Sequence, residues 1–171
     1  MTVTLFMAIS LDGYIADSEG GEDFLSHENW KTCVQFVKEY GNLIVGRKTY
    51  EAVKAWDEEY SFDQFASATK VILTKNNDFT CPKGYFCATS PSKAIEIIKK
   101  NGLDKPFITG GAEVNASFLR EGLISDIFLN INPVVLGDGK NLFAKDILQT
   151  DLKLEKMIQL PENIVQLHYK T

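Results

Sequence analysis

Four short segments constrain the fold of this chain more than any other feature. In order they are Ser10-Leu11-Asp12-Gly13-Tyr14-Ile15-Ala16, Gly46-Arg47-Lys48-Thr49-Tyr50-Glu51, Gly110-Gly111 and Pro133-Val134-Val135-Leu136-Gly137-Asp138-Gly139. Each stands where an apolar, strand-like run ends. Strands that all end in turns of this kind describe one edge of an α/β sheet, the edge at which such sheets bind nucleotides.

The elements between these turns follow from local signals. Val3 to Ser10 predicts a buried strand, followed by a long loop from Asp12 to Asp23. Ser26 is placed to cap a helix carrying Trp30, Val34, Val37 and Tyr40 at helical spacing, stopped by Gly41. Leu43-Ile44-Val45 predicts a strand, and Gly46-Arg47-Lys48 a turn into a helix from Thr49. Strands are expected at Val71-Ile72-Leu73 and around Tyr85 to Cys87. Ser90 then caps a helix with Pro91 in its first position and an apolar stripe of Ala94, Ile95 and Ile98. Phe107-Ile108 is a strand running into Gly110-Gly111 and a helix to about Leu119. The alternation then stops, because Ile127 to Val135, Leu152 to Ile158 and Ile164 to Tyr169 read as strands without helices between them. A three-layer α/β domain is expected, with a mostly parallel sheet and antiparallel C-terminal strands.

At 171 residues, with no linker or repeat, the chain reads as one domain spanning 1–171. Eighteen basic and 23 acidic side chains give a net charge of -5, which argues against nucleic acid or an anionic membrane as the main partner. No apolar run approaches membrane-spanning length, and the N-terminal run lacks a basic lead-in. Cys33, Cys81 and Cys87 have no C-x-x-C spacing, and His27 and His168 are far apart, so no zinc site is expected. The cysteines read as free thiols of a cytoplasmic protein.

Arg47 and Lys48 stand at a strand-to-helix turn, where free N–H groups and the helix dipole already favour an anion. Thr74-Lys75 forms a second hydroxyl- and cation-bearing turn after the next strand. Gly110-Gly111 removes the Cβ atoms where a ligand would approach the backbone. G-x-G-x-x-G is absent, so the Rossmann fingerprint does not apply.

In type, spacing and order these segments resemble the dihydrofolate reductase-like superfamily, and within it the small bacterial proteins similar to the riboflavin-biosynthesis reductase domain. The resemblance implies NADPH as cofactor and a homodimer paired through its sheets. It implies cofactor contacts at Ala8, Ser10, Ile15, Gly46, Arg47, Lys48, Thr49, Thr74, Lys75, Gly110, Gly111, Ala112 and Glu113. Asp23-Phe24 resembles an acid-aromatic pair facing nicotinamide and substrate in such relatives, so Asp23 is the candidate proton donor and Phe24, Glu28 and Trp56 are candidate substrate contacts. Departures from dihydrofolate reductase itself are equally informative. Only Glu28, at the helix start, approaches the position of its pterin-binding carboxylate. Between Thr49 and Lys70 there is no arginine to clamp a glutamyl tail, and the stretch from Trp56 to Phe65 is acidic and aromatic. Dihydrofolate is therefore expected to be a poor substrate.

The expected function is NADPH-dependent reduction of a small, heterocyclic, pterin- or ribosylaminopyrimidine-like molecule. The alternatives are a 5-amino-6-(5-phosphoribosylamino)uracil reductase, a dihydrofolate reductase, an NADP(H)-binding module without turnover, and a partner-binding subunit.

Overall fold

The computed structural model describes residues 1–56, 58–145 and 149–171, without the side chain of Glu58. Ten strands, β1 (Thr4–Ile9), β2 (Tyr14–Ala16), β3 (Asn42–Gly46), β4 (Thr69–Leu73), β5 (Phe86–Ala88), β6 (Phe107–Ile108), β7 (Asp126–Ile131), β8 (Lys140–Asn141), β9 (Lys153–Gln159) and β10 (Val165–Lys170), alternate at first with four helices. The helices are α1 (His27–Tyr40), α2 (Arg47–Lys54), α3 (Pro91–Lys100) and α4 (Ala112–Arg120). Eight strands form one sheet in the order β5-β4-β3-β6-β1-β7-β10-β9. Its pairings are parallel from β5 to β7 and antiparallel from β7 to β9. The C-terminal antiparallel tail is as expected, and α2 begins at Arg47, so Arg47 and Lys48 belong to its first turn.

The central parallel strands β1, β3, β4 and β6 are largely apolar and buried, as expected where helices cover both faces of a sheet. Leu5, Ile44, Val71, Ile108 and Ile127 pack with Ala94, Ile95, Ile98, Val114 and Phe118 of α3 and α4. The neighbouring residues Phe6, Leu43, Val45, Ile72 and Phe107 point the other way, onto Cys33, Val37, Tyr50 and Val53 of α1 and α2. Phe36 is packed among Phe6, Phe107 and Phe128, with ring centroids 5.5, 5.3 and 4.9 Å away. Beyond α1 the sheet carries amides. Asn29 of α1 donates to Asn132 Oδ1 at 2.8 Å and accepts from Asn130 Nδ2 at 3.1 Å, and Gln166 Nε2 donates to Asn130 Oδ1 at 2.9 Å. These paired amides bind the start of α1 to the ends of β7 and β10.

Two features depart from the expectations. The short ribbon of β2 and β8 lies where the sequence predicts only loop, because a three-residue and a two-residue strand carry no periodicity. Cys81 and Cys87, expected as free thiols, form a disulfide, and the Cys33 thiol stays free and buried. The turn through Pro82 and Tyr85 folds the chain back at the start of β5 and brings the two Cα atoms to 5.8 Å, a separation that spacing in sequence does not reveal. Among the described residues no helix is long and apolar enough to cross a membrane.

Asn42, fully buried at the start of β3, holds three backbone groups. Its Nδ2 donates to the carbonyls of Tyr40 and Lys105 at 2.8 and 3.0 Å, and its Oδ1 accepts from Phe107 N at 2.9 Å. Asn42→Ala leaves the Phe107 N–H without its acceptor inside the core, and we expect it to destabilise the fold by about 2–3 kcal/mol, measured by urea denaturation.

Candidate functional site

The site forms where β1, β3, β4 and β6 end. Gly46 N donates to Gly110 O at 2.7 Å, continuing the β3–β6 ladder into the turns. A Cβ on Gly110 would lie 2.8 Å from Met7 Sδ, and one on Gly111 2.7 Å from Thr49 Oγ1. A larger residue at either place pushes the turn away from its neighbours. Gly46 and Gly111 are the N-caps of α2 and α4, and neither helix has a side-chain cap. On α3, by contrast, Ser90 Oγ accepts from Lys93 N. Ser26, expected to cap α1, makes no such bond either, but α2 and α4 begin on one sheet edge, where their first N–H groups can hold an anion.

Arg47 and Lys48 stand in the first turn of α2, where a cation opposes the dipole unless an anion joins it. Arg47 is held by Glu51, with Nη1 2.9 Å from each carboxylate oxygen, while Lys48 is exposed. Gly46 pairs with Leu73, so Arg47 and Thr74 leave adjacent strand ends, about 4.8 Å apart by ordinary sheet spacing. Thr74 Oγ1 accepts from Asn76 N at 3.1 Å, and Lys75 beside it is exposed.

Next to this edge lies a cleft of about 470 Å³. Its inner wall includes Met7, Ala8, Ile15, Thr49, Thr109 and Gly111. Its mouth is aromatic, with His27 and Trp30 from α1 and Trp56, Tyr60 and Phe62 from the segment after α2. Glu22 and Asp23 enter from the loop before α1. That loop is anchored by Asp12, which accepts from Ser10 Oγ at 2.6 Å and from the N–H groups of Gly137 at 2.7 Å and Leu136 at 3.2 Å. The Ser10 hydroxyl and these N–H groups hold the Asp12 carboxyl down at about 2. Gly139 completes the junction, since a Cβ there would collide with the Ala16 carbonyl.

Burial pushes the Glu22 carboxyl up to about 7, against the opposing pull of the Lys140 ammonium. Burial likewise pushes the Cys33 thiol up to about 12, opposed by its contact with the Thr109 hydroxyl, so this cleft-lining sulfur is a poor nucleophile. Near neutral pH the cleft therefore holds a carboxylic acid that both keeps and releases its proton.

Of the residues singled out in the sequence, Ala8, Ile15, Asp23, Thr49, Trp56 and Gly111 line the cleft. Gly46, Arg47, Lys48, Thr74, Lys75, Gly110, Ala112 and Glu113 lie along the adjoining edge, Glu113 exposed in the first turn of α4. Three further candidates lie outside the cleft lining. The Ser10 side chain is fully buried against Asp12 and is not part of the lining. Phe24 is outside the lining as well. Glu28 also lies outside it, paired with Lys31 at 3.3 Å, because one helical step of 100° turns the neighbouring Asn29 inward instead. Asp57, part of the acidic stretch, lies outside the described residues. Glu22, Asn29, His27, Tyr60 and Thr109 join the lining without being singled out by the sequence. Glu22 carries no local signal, since a loop carboxylate becomes special only through the burial that the fold gives it.

A three-layer sheet of this topology, with glycine-capped helices beside a cleft at its C-terminal edge, is a dihydrofolate reductase-like domain. The family model described as the RibD C-terminal domain matches residues 1–166, and the chain belongs to that family. It is 30% identical over 169 residues to the protein YwjB of Bacillus subtilis (strain 168), covering 96% of this chain and 95% of that one. Its fold is similar to that of a Shewanella sp. PV-4 protein assigned to riboflavin biosynthesis, with a TM-score of 0.81, 24% identity, and 99% and 98% of the two chains covered. It is also similar to the diaminohydroxyphosphoribosylaminopyrimidine deaminase/5-amino-6-(5-phosphoribosylamino)uracil reductase of Thermotoga maritima. There the TM-score is 0.76 at 15% identity, over 99% of this chain and 56% of that one.

Glu22 makes stability depend on pH. Its folded value of about 7 exceeds the ordinary 4.5, so the folded state binds the extra proton between those pH values. The contribution is complete below about pH 4.5 and is lost as pH rises through 7. Glu22→Gln abolishes that loss. Between pH 4 and pH 8 the variant should gain about 1–3 kcal/mol on the wild type, read from urea midpoints across the range.

Proposed function

We propose that the protein is an NADPH-dependent reductase acting on a small, flat heterocycle held in the cleft. The observation that carries this reading is the pair of uncapped helix N-termini, on α2 and α4, opening beside an apolar cleft at the C-terminal edge of the sheet. When bound, NADPH supplies the hydride. The N–H groups that begin α2 and α4 hold the pyrophosphate, and Gly46, Gly110, Gly111 and Ala112 let it come close to the backbone. Arg47, Lys48, Thr74 and Lys75 hold the adenosine 2′-phosphate, for which Arg47 exchanges its bond to Glu51. Ala8, Ile15, Thr49 and Thr109 flank the nicotinamide ring and exclude water from it. Trp56 and Trp30 face the acceptor, and orienting the two reactants is the main contribution of the chain. Glu22 passes its proton to the reduced product, with Asp23 next to it at the mouth.

The family supports this reading, since the Thermotoga maritima relative is named as a uracil reductase. Reduction of a ribosylaminopyrimidine phosphate is the second enzymatic reading. A nucleotide-binding module without turnover is the outcome if the cofactor binds and no acceptor is reduced.

We propose further that the protein is a homodimer. Leu154 and Met157 on β9 are 51% and 66% exposed, and β9 is the free edge of the large sheet, an arrangement that a second copy would cover. Light scattering at micromolar concentration should give twice the mass of the chain, and Met157→Lys should return it to the single-chain mass.

Calorimetric titration of NADPH and NADH tests the cofactor assignment. We expect NADPH to bind more tightly. Lys75→Ala should remove one charge-assisted contact, costing about 1.5–3 kcal/mol for NADPH and leaving NADH unchanged. Equal affinity for the two cofactors in both proteins would overturn the assignment.

A further inference from the structure

The mouth of the cleft carries a charge pattern that selects its ligand. Tyr60 stands between two tryptophans, with centroid distances of 5.7 Å to Trp30 and 6.4 Å to Trp56 and interplanar angles of 76° and 82°. His27 meets Tyr60 at 72°, its Nδ1 3.1 Å from the phenol oxygen. Trp30 is backed by Phe65, stacked on it at 6.1 Å and 30°, while Tyr60 meets both tryptophans nearly at right angles, so stacked and edge-on rings together make the wall. The negative faces of such walls attract a positive charge, most strongly where water is excluded.

The fixed charges have the same sign preference. Among the described residues the lining contains two carboxyl groups, Glu22 and Asp23, and neither lysine nor arginine. The Lys140 ammonium acts on Glu22 from β8 and does not line the cleft. A phosphate or carboxylate entering here meets no lysine or arginine in the lining and loses its hydration, which is costly for an anion. A flat cation meets π faces and a carboxylate together. Resting on the reading of this cleft as the acceptor site of a reductase, we propose that its mouth binds a flat heteroaromatic cation, such as an N-alkylated or ring-protonated base, and rejects phosphorylated and carboxylated compounds.

Three probes of nearly equal size test this by calorimetry, with and without saturating NADP⁺: N-methylquinolinium, quinoline and quinoline-4-carboxylate. The cation should bind about tenfold more tightly than quinoline, with the carboxylate weakest. Trp30 and Trp56 are the two tryptophans of the chain and both line the cleft, so protein fluorescence must change with the same midpoint as the heat. In the double variant Glu22→Gln/Asp23→Asn, checked for a cooperative melt, quinoline should bind as before and the preference for the cation should fall to about twofold or less. Trp56→Phe should retain the preference and Trp56→Ala reduce it. The inference is overturned if the carboxylate binds as well as the cation, if no probe binds, if binding leaves fluorescence unchanged, or if the double variant keeps the tenfold preference. NADPH binding and turnover of the wild type are separate measurements, and loss of NADPH binding there would strike the reductase reading alone.

Discussion

The hydrogen bond from Gly46 N to Gly110 O is the constraint on which the site depends. It joins the ends of β3 and β6 at a point where backbone meets backbone, and a Cβ on Gly46 would press on the Val114 side chain at 3.0 Å. From this contact α2 and α4 leave the same edge with their N-termini side by side, each starting from a glycine that offers no side-chain oxygen as a cap. A capping serine at either place would stabilise its helix and occupy an N–H. Here the chain goes without that local stabilisation, and those N–H groups have no side-chain acceptor.

Much of this is legible in the sequence because it is written in short-range chemistry. Glycine after an apolar run, proline at the first position of α3, and Arg47-Lys48 at a helix start each have a local cause, and each lies where its neighbours predict. The strands of the parallel region are equally clear, since burial on both faces leaves unbroken apolar runs such as Leu43-Ile44-Val45. The effect of distant segments on one another is not legible in this way. Glu22 and Asp23 are adjacent loop acids of the same charge, and only folding draws the first partly out of solvent and leaves the second exposed. Glu28 and Asn29 differ by one step around a helix, which decides which of them reaches the cleft. The disulfide between Cys81 and Cys87 and the β2–β8 ribbon belong to the same class, because both depend on a turn bringing together residues that have no pattern in common.

The two halves of the cleft are held by different means. Its inner wall is part of the packed sheet, whereas its mouth is assembled from the loop before α1 and the segment after α2. Asp12 accepts bonds from the turn at Leu136 and Gly137 and so, beside the β2–β8 ribbon, joins the first loop to the one that carries β8. Loss of that carboxylate would free the loop bearing Glu22 and Asp23 without disturbing the sheet, which separates the precision of the site from the stability of the fold.

The position of β1 in the sheet has a consequence for how the protein is made. It is made before every other strand of this sheet, yet it lies between β6 and β7, pairing Thr4 with Phe107 on one side and with Asp126 on the other. More than one hundred residues of chain must therefore be synthesised, at roughly 5–20 residues per second, before the central strand has either neighbour. For those seconds its row of apolar side chains and unsatisfied backbone groups is exposed, a template for any other nascent copy. The same arrangement that puts the cleft at the middle of the sheet makes its central strand one of the last to be protected.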